Sequence, residues 1–329
     1  MSVCKEINII KIFSSAFSDH KDGVVGIGDD CAVLPLNNNT SMVVTTDTMT
    51  EDVHFIMSLI SPEDLAYKAL SSNISDVISM GALPTYAFLS ITLTSKCDEQ
   101  WIKRFSESLS SLAHTHGITL MGGDTTFSPH ALTITITLTG NVDNKNIKLR
   151  SGAKPSDKIF CCSSLGASAT GLELIQRGHA THPATNAHYR PHLFVDESQW
   201  LSRQKAVTAM MDISDGIAKD LTHILERSGV GAAIELSKIP IAESTIELCR
   251  TLSIDPLKQA LEGGEEYSLL FTVDSAQSEF ITEEYFRLFN HHIYEIGECN
   301  NNKNIITWLD GGKPSNKTFK GYDHFRNDR

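Results

Sequence analysis

The residues of this sequence that could do chemistry are aspartates in five short motifs. Each motif sets its aspartate beside glycine or hydroxyl residues, at the end of an apolar segment or on a predicted helix. Carboxylates that converge repel one another unless a cation neutralises them, so the set indicates one shared cation-binding site. The motifs are Gly26–Asp30 (GIGDD), Thr45–Asp47 (TTD), Asn73–Asp76 (NISD), Gly122–Thr126 (GGDTT) and Asp212–Gly216 (DISDG).

The chemistry that suits these motifs is phosphate binding through hard divalent cations. Magnesium prefers oxygen ligands and commonly bridges protein carboxylates to substrate phosphates. The formal net charge of −12 argues against a broad nucleic-acid-binding face, because an acidic surface repels a polyanion. Metal ions invert that sign locally, so an acidic protein can bind a nucleotide such as ATP. The glycines let backbone N–H groups approach phosphate oxygens.

Each motif taken alone also has a purely structural interpretation. Aspartate after glycine is common in turns, and aspartate before a helix is a common N-cap, which Asp215 could be for the segment that follows it. Asp76 is harder to explain in this way, because it interrupts an apolar helical pattern that includes Leu70 and Ile74. Aspartate is a poor helix former and costly to bury without a partner, which favours a functional role there.

Size and composition indicate a globular protein of two domains. The chain has 329 residues, of which 41% are hydrophobic and 21% charged, enough to form two cores. The apolar stretches fall short of the ~20 residues of a membrane helix, and the first residues resemble an amphipathic helix rather than a signal peptide. Seven cysteines without CxxC spacing indicate free thiols. We therefore expect a cytoplasmic protein that binds neither membrane nor nucleic acid.

Two successive sets of strands and helices are predicted to position the motifs, which indicates an α/β or α+β class. The Gly-, Pro- and Ser-rich segment Arg150–Asp157 separates a domain 1–150 from a domain 151–329. Ser61 is predicted to cap the first long helix, with Pro62 in its first turn. The elements of the first set are Val43–Asp47, Ser61–Met80, Glu99–His116, Gly117–Met121 and Leu132–Leu138. Those of the second set are 158–162, 167–177, 209–213, 215–228, 231–236, 267–273 and 279–290.

The motifs of several common enzyme families are absent from the sequence. There is no GxxxxGK[ST], so the chain is not a P-loop enzyme, and there is no HExxH, GxSxG or protein-kinase motif set. Gly26 and Gly28 precede Asp29 and Asp30, which are acids where a dinucleotide fingerprint would meet pyrophosphate. A Rossmann domain is therefore disfavoured.

Taken together, the motifs resemble those of the thiamine-monophosphate kinase family. The aspartate motifs alone resemble the wider superfamily of ATP-binding, aminoimidazole-ribonucleotide-synthetase-like enzymes. Val53–Phe55 (VHF), Gly263–Glu265 (GGE) and Gly321–Phe325 (GYDHF) narrow the resemblance to the kinase, and the order of the motifs is the family's. The resemblance implies a two-domain PurM-like fold. Its N-terminal domain would pair across a β-barrel-like interface into a homodimer, and its C-terminal domain would be α/β.

The resemblance also implies a reaction and the residues that serve it. The reaction is Mg²⁺-dependent, direct transfer of the ATP γ-phosphoryl to thiamine monophosphate, which gives thiamine diphosphate and ADP. Several Mg²⁺ ions would be held by Asp30, Thr45, Thr46, Asp47, Asp76, Asp124, Asp212 and Asp215. The nucleotide would contact Gly123, Asp124, Arg150 and Ser214. The thiamine end would contact His54, Glu265 and Tyr322.

Some of these residues also have structural interpretations that the sequence leaves open. His54 could be an ordinary half-buried histidine, Arg150 a solvated loop residue and Tyr322 a packing residue near the C-terminus. Phe105, on the second predicted helix, is interpreted as core rather than as an adenine contact.

Two positions depart from the family pattern. Asp52 stands where the family has glycine, which adds a carboxylate near the substrate, and Glu266 replaces an aspartate. Two related enzymes, selenophosphate synthetase and the hydrogenase maturation factor, act through cysteines. They are disfavoured because Cys4 lies in an unremarkable helical segment and no cysteine follows Cys299. A non-catalytic nucleotide-binding regulator is disfavoured because all the acidic motifs are present.

Overall fold

Two β-sheets, one in each half of the chain, organise residues 6–17 and 23–323, which the computed structural model describes. Cys4 and the last two residues of the GYDHF motif lie outside these ranges. The first half contains α1 (Glu6–Ala16), β1 (Ala32–Pro35), β2 (Thr40–Thr50), α2 (Pro62–Ser79), β3 (Leu83–Leu93), α3 (Glu99–Thr115), β4 (Thr119–Phe127) and β5 (Thr133–Asp143). Its sheet has the order β1-β2-β5-β3-β4, with β3 and β4 parallel and the other pairs antiparallel.

The second half builds a seven-stranded mixed sheet. Its elements are β6 (Lys158–Cys161), α4 (Ala167–Gln176), α5 (Asn186–Tyr189), α6 (Val195–Arg203), β7 (Val207–Asp212), α7 (Ile217–Ser228), β8 (Gly231–Glu235), α8 (Glu243–Leu252), α9 (Pro256–Glu262), β9 (Leu269–Val273), α10 (Ser278–Phe289), β10 (Tyr294–Asn300), β11 (Ile306–Asp310) and β12 (Lys313–Pro314). The strand order is β12-β11-β8-β10-β6-β9-β7, and a separate apolar core lies on each side of this sheet.

Helix α2 is the element that joins the two halves. Ser61 caps it as predicted, because the Ser61 hydroxyl accepts the N–H of Asp64 at 3.0 Å, and Pro62 lies in the first turn. Its apolar residues pack in the N-terminal core, whereas the Ser75 hydroxyl donates to Asp212 at the end of β7, 2.6 Å away. A helix buried on both sides must satisfy its polar side chains internally, so their positions are set by partners in both halves.

The predicted α/β class is confirmed, and the predicted bounds of the long helices agree best with the structure. Helices α2 and α3 agree with their predicted bounds to within one residue at either end. The strands predicted in the first half are too short, because β2 and β5 pair along eleven residues, which extends both beyond their apolar centres. In the second half, the strands predicted at 158–162, 231–236 and 267–273 are one or two residues too long. Neither sheet closes into a barrel within the described part of the chain. The boundary predicted at 150/151 lies between β5 and β6 and stays a prediction.

No helix in the described ranges is long and apolar enough to cross a membrane.

Ser61→Ala is expected to lower the free energy of unfolding by about 1 kcal/mol, because the first turn of α2 loses its side-chain acceptor. Urea denaturation followed by circular dichroism measures the change. Ser106→Ala on α3 is the matched control, since the Ser106 hydroxyl only donates to the carbonyl of Lys103, and its effect should stay within about 0.5 kcal/mol. Equal effects of the two substitutions would contradict the capping role.

Candidate active site

Strand β2 turns two of the predicted site residues toward α2 and one away from it. Successive side chains of a strand point to opposite faces. Thr45 and Asp47 face α2, where Thr45 Oγ1 donates to Asp76 Oδ2 at 2.5 Å. Thr46 lies on the outer face, with its hydroxyl 3.1 Å from that of Thr137. The structure therefore brings Thr45 and Asp47 to Asp76 but keeps the Thr46 side chain apart from them.

The end of β7 and the loop after it supply the next group. Asp212 is only 1% exposed and accepts its hydrogen bond from Ser75 on α2. Ser214 and Asp215 follow in the loop, and Asp215 Oδ2 lies 2.7 Å from Lys219 Nζ. Helix α7 begins after Gly216, so Asp215 is not its N-cap. Asp212 and Asp215 thus approach the group on β2 and α2 from the second half of the molecule.

Asp30 and Arg150 form a buried ion pair. Arg150 donates to Asp30 Oδ1 from Nε at 2.9 Å and from a terminal nitrogen at 2.5 Å, and Ser79 donates to Asp30 Oδ2. The backbone N–H of Arg150 also donates to Asp29 Oδ1 at 2.8 Å. Both oxygens of Asp30 are therefore engaged, and Arg150 is a paired residue rather than a solvated one.

Several of these carboxyl groups are costly to ionise where they lie. Burial raises the pKa of Asp47, and it raises that of Asp76 well above the ordinary value, with the nearby carboxylates adding to both shifts. Burial, followed by the charge of Asp30, raises the pKa of Asp212 to about 8. Arg150 opposes this last shift without cancelling it. A bound cation would favour the ionised form of these carboxyl groups.

The donor set fits magnesium. It consists of carboxylate and hydroxyl oxygens, which hard divalent cations prefer, and one buried oxygen, Asp29 Oδ2, has no hydrogen-bond partner in the described chain. No three His, Cys, Asp or Glu side chains converge as ligands of one ion within residues 6–17 and 23–323. Magnesium usually keeps several waters and takes one or two carboxylates beside substrate phosphates, so it does not need such a convergence.

Within one chain, Gly123 and Asp124 lie far from the carboxylates around Asp47 and Asp76. They are on β4, the exposed edge strand, and the register Asp47–Ile136–Leu89–Gly123 runs straight across the sheet. Three strand spacings of about 4.8 Å put Gly123 about 14 Å from Asp47. A Cβ at position 123 would lie 1.7 Å from the carbonyl oxygen of Leu89, so only glycine fits there. Their predicted nucleotide and metal contacts stay predictions.

A cavity of about 740 Å³ opens between the two halves and collects the remaining predicted residues. Asp47, Asp76 and Asp215 form a carboxylate-rich part of its wall, which also includes apolar side chains such as Ile60 and Leu172. Asp30 and Asp212 are buried behind this wall rather than part of it. The other predicted site residues that line the cavity are His54, Ser214, Glu265 and Tyr322.

The three predicted thiamine contacts are held by the backbone around them. His54 Nδ1 accepts the backbone N–H of Thr50 at 3.0 Å, so the proton of neutral His54 lies on Nε2. The N–H of Tyr322 donates to the carbonyl of Asp215 at 2.9 Å, which ties the C-terminal segment to the loop after β7. The N–H of Glu265 donates to the carbonyl of Ser214 at 2.8 Å.

Sequence reasoning missed Lys68 and His188. Lys68 is fully buried, and its ammonium lies 2.7 Å from Glu265 Oε2 and 2.9 Å from His188 Nε2. Both residues line the cavity. The signal was available for Lys68, since it lies eight residues before Asp76 on one helix and therefore on the same face. Phe105, in contrast, is 3% exposed and stacks on Trp101, as expected for core.

The departure at Asp52 leaves the turn intact. Asp52 adopts a φ of +64°, the left-handed region that glycine enters without strain and aspartate tolerates better than most residues. The turn keeps its backbone bonds from Asp52 to the carbonyl of Phe55 (2.8 Å) and from His54 to that of Thr50 (3.0 Å). The carboxylate is therefore added at the exposed rim of the cavity without displacing His54.

Family models match both halves of the chain. The model described as AIR synthase related protein, N-terminal domain, matches residues 28–142, and its C-terminal counterpart matches residues 154–309. The thiamine-monophosphate kinase of Haemophilus influenzae is 38% identical over 310 residues, which cover 92% of each chain. That of Escherichia coli K12 is 35% identical over 98% of each chain.

Solved structures of thiamine-monophosphate kinases are also similar to this chain. AaThiL complexed with AMPPCP and TMP superposes with a TM-score of 0.83 at 29% identity over 97% of each chain. The thiamine-monophosphate kinase from Stenotrophomonas maltophilia has a TM-score of 0.76 at 30% identity, over 94% of this chain and 96% of that one. The hydrogenase maturation protein HypE of E. coli, with a TM-score of 0.70 at 20% identity, shares the fold alone.

Asp52→Ala is expected to lower the free energy of unfolding by about 1 kcal/mol, because alanine tolerates the left-handed region less well than aspartate does. Asp52→Gly should stay within about 0.5 kcal/mol of the parent chain. Urea denaturation measures both changes. An alanine variant as stable as the glycine variant would show that the backbone at this position does not require the left-handed conformation.

Proposed function

This chain belongs to the AIR synthase related proteins and, among them, to the thiamine-monophosphate kinase family, and we propose that it phosphorylates thiamine monophosphate with ATP, giving thiamine diphosphate and ADP. The single observation that carries the proposal is the cavity, whose wall combines the carboxylates of Asp47, Asp76 and Asp215 with apolar side chains and with His54, Glu265 and Tyr322. The AaThiL complex with AMPPCP and TMP supports this pair of substrates.

The carboxylate-rich wall is proposed to hold Mg²⁺ and the phosphates. Bound magnesium would offset the repulsion between two anionic phosphates as they meet, which is the main demand of phosphoryl transfer. Asp47, Asp76 and Asp215 face the cavity, and Thr45 orients Asp76 through its hydrogen bond. The other residues proposed for these ions are Asp30, Thr46, Asp124 and Asp212. Gly123, Asp124, Arg150 and Ser214 are proposed for the nucleotide, and of these Ser214 lies on the cavity wall.

The thiamine end is proposed to lie against His54, Glu265 and Tyr322 on the cavity wall. His54 lines the cavity, and the hydrogen bond that its Nδ1 accepts from the N–H of Thr50 fixes the orientation of its ring. The ring of Tyr322 suits stacking against a cationic ring, and the Glu265 carboxylate suits its charge. No covalent intermediate is proposed, because a phosphate oxygen of the acceptor is already a nucleophile and needs positioning more than a base.

The proposed reaction is tested by incubating the purified chain with ATP and Mg²⁺, with and without thiamine monophosphate. Thiamine diphosphate should form one-for-one with ADP, and EDTA should abolish both. ADP release without thiamine diphosphate would mean that the phosphoryl acceptor is a different molecule. The absence of any turnover would favour a regulator over an enzyme.

Asp47→Asn is expected to lower kcat by about 10²-fold or more, the order of magnitude for losing one electrostatic partner of a transition state. The amide keeps the shape of the side chain but not the charge that a cation would meet. Asp143→Asn at the exposed end of β5 is the matched control and should leave kcat unchanged. Near-parental turnover by Asp47→Asn would remove this residue from the proposed metal site.

We also propose that the chain forms a homodimer through the N-terminal sheet. Strands β3 and β4, at one edge of this sheet, carry several exposed apolar side chains, namely Tyr86, Phe88, Leu120, Met121 and Phe127. Strand β4 is exposed along all nine of its residues. An uncovered apolar face with an open edge strand is a liability that a second copy would remove. Free thiols at the six described cysteines support the proposed cytoplasmic location.

Phe88→Glu is expected to weaken dimerisation by about 10²-fold or more, because a carboxylate would be buried in the proposed interface without a partner. Analytical ultracentrifugation over a concentration series measures the change. Phe280→Glu replaces an equally exposed phenylalanine on α10, far from the N-terminal sheet, and should leave association unchanged. A parent chain that sediments as a monomer, or a Phe88→Glu variant that dimerises like the parent, would exclude this interface.

A further inference from the structure

The wall of the cavity is acidic, and Lys68 is the one lysine or arginine among the described residues that line it. Such a wall favours bound cations over anions. Apolar and aromatic side chains are interspersed with the acids, which suits a ligand that is both flat and positively charged. The carboxylates are Asp47, Asp52, Asp76, Glu173, Asp215, Glu262 and Glu265.

Glu265 has one carboxylate oxygen that accepts no hydrogen bond from the described residues. Glu173 is paired with Arg177 at 2.6 Å, and Glu262 accepts the N–H of Lys320 at 2.8 Å. Glu265 Oε2 accepts a hydrogen bond from the Lys68 ammonium, whereas Oε1 accepts none from any residue in the described ranges. Its side chain is 26% exposed. Oε1 is therefore available to a ligand in the cavity.

Lys68 and His188 hold Glu265 from the buried side. The Lys68 ammonium is fully buried between Glu265 Oε2 and His188 Nε2, and His188 Nδ1 lies 3.4 Å from the same carboxylate oxygen and 3.2 Å from Ser168 Oγ. Burial, then the charge of Lys68, lowers the pKa of His188 to about 4, so this histidine is neutral. One buried cation thus balances one carboxylate, which remains ionised.

The backbone leaves Glu265 little freedom to move. Its φ of +59° is in the left-handed region, and its N–H is bonded to the carbonyl of Ser214. A Cβ at Gly264 would lie 2.5 Å from that same carbonyl oxygen, so the segment is packed against the loop after β7. A backbone conformation of this kind persists only where its surroundings enforce it.

Helix α2 sets the distance between Lys68 and the carboxylate-rich wall. Lys68, Ser72 and Asp76 recur at four-residue intervals and line the cavity from one face of the helix. Eight residues of helix span about 12 Å along its axis. A ligand with a charged ring at one end and a phosphate at the other would extend along this face.

We propose that Lys68 is a positioning residue that, with His188, fixes the Glu265 carboxylate on the cavity wall, where Glu265 selects a substrate whose ring carries a positive charge. The identity of that substrate rests on the proposed function. Without Lys68, the carboxylate would turn away or become neutral, and the preference for a charged ring would fall.

The test compares the binding of two ligands by titration calorimetry in the absence of ATP. One is thiamine monophosphate, and the other is its analogue with a carbon in place of the ring nitrogen, so that the ring is neutral. The parent chain should prefer the charged ligand by about tenfold or more. Lys68→Met and Glu265→Gln should each remove most of that preference. Lys103→Met, which removes an exposed lysine on α3, is the matched control and should keep it.

The double variant Lys68→Met/Glu265→Gln separates an indirect role from a direct one. If Lys68 acts through Glu265, the double variant should lose no more preference than Glu265→Gln alone. If the double variant instead loses the product of the two single-variant losses in preference, the positioning role is overturned. A Lys68→Met variant that keeps the parental preference would overturn it as well. Circular dichroism checks folding. If Lys68→Met fails to fold because an unpaired carboxylate is buried, Lys68→Gln takes its place in the cycle.

The two proposals can fail separately. A chain that prefers the charged ligand but forms no thiamine diphosphate would contradict the proposed reaction and keep the selection by Glu265. A chain that forms thiamine diphosphate but binds both ligands equally would keep the reaction and overturn this inference.

Discussion

The burial of several carboxyl groups beside one another is the constraint on which the rest of the structure depends. Taking them out of water and placing them close together both oppose ionisation, and Asp212 and Asp76 show the result in their raised pKa values. The protein supplies hydroxyl donors from Thr45, Ser75 and Ser79 and the guanidinium of Arg150. These donors lie in the first half of the chain, whereas Asp212 lies in the second, so the site also joins the halves.

Helix α2 contributes both to the buried carboxylate site and to the hydrophobic core. Apolar residues such as Ile74 and Ile78 are fully buried in the N-terminal core, and the polar residues between them face β7 and the cavity. Because apolar and polar residues alternate along it, this one rigid helix carries Asp76 at the carboxylate-rich part of the wall and Lys68 two turns earlier. Because the helix is capped and packed along its length, the spacing between the two ends is set by its rise rather than by flexible loops.

The cavity combines two kinds of lining side chain. The oxygen-rich wall fits phosphates and divalent cations, a need common to many ATP-using enzymes. The cavity is also lined by apolar side chains and by His54, Tyr322 and Glu265, which together suit a flat cationic ring. HypE matches the fold at 20% identity, and function is decided by such side chains rather than by the sheets that carry them.

Local signals in the sequence determined the class of the fold, the bounds of α2 and α3, and the acidic motifs with their oxygen chemistry. A cap, a turn or a helical period acts within a few residues, so Ser61 predicts the start of α2 without knowledge of the rest of the chain. Only the tertiary structure decided that Thr46 faces away from Asp76, that Gly123 lies three strands from Asp47, and that Lys68 is buried. Lys68 in particular resembles a solvated lysine until Glu265, 197 residues later, is placed against it. Contacts over such separations are set by the packing of whole sheets and helices, which no short pattern encodes.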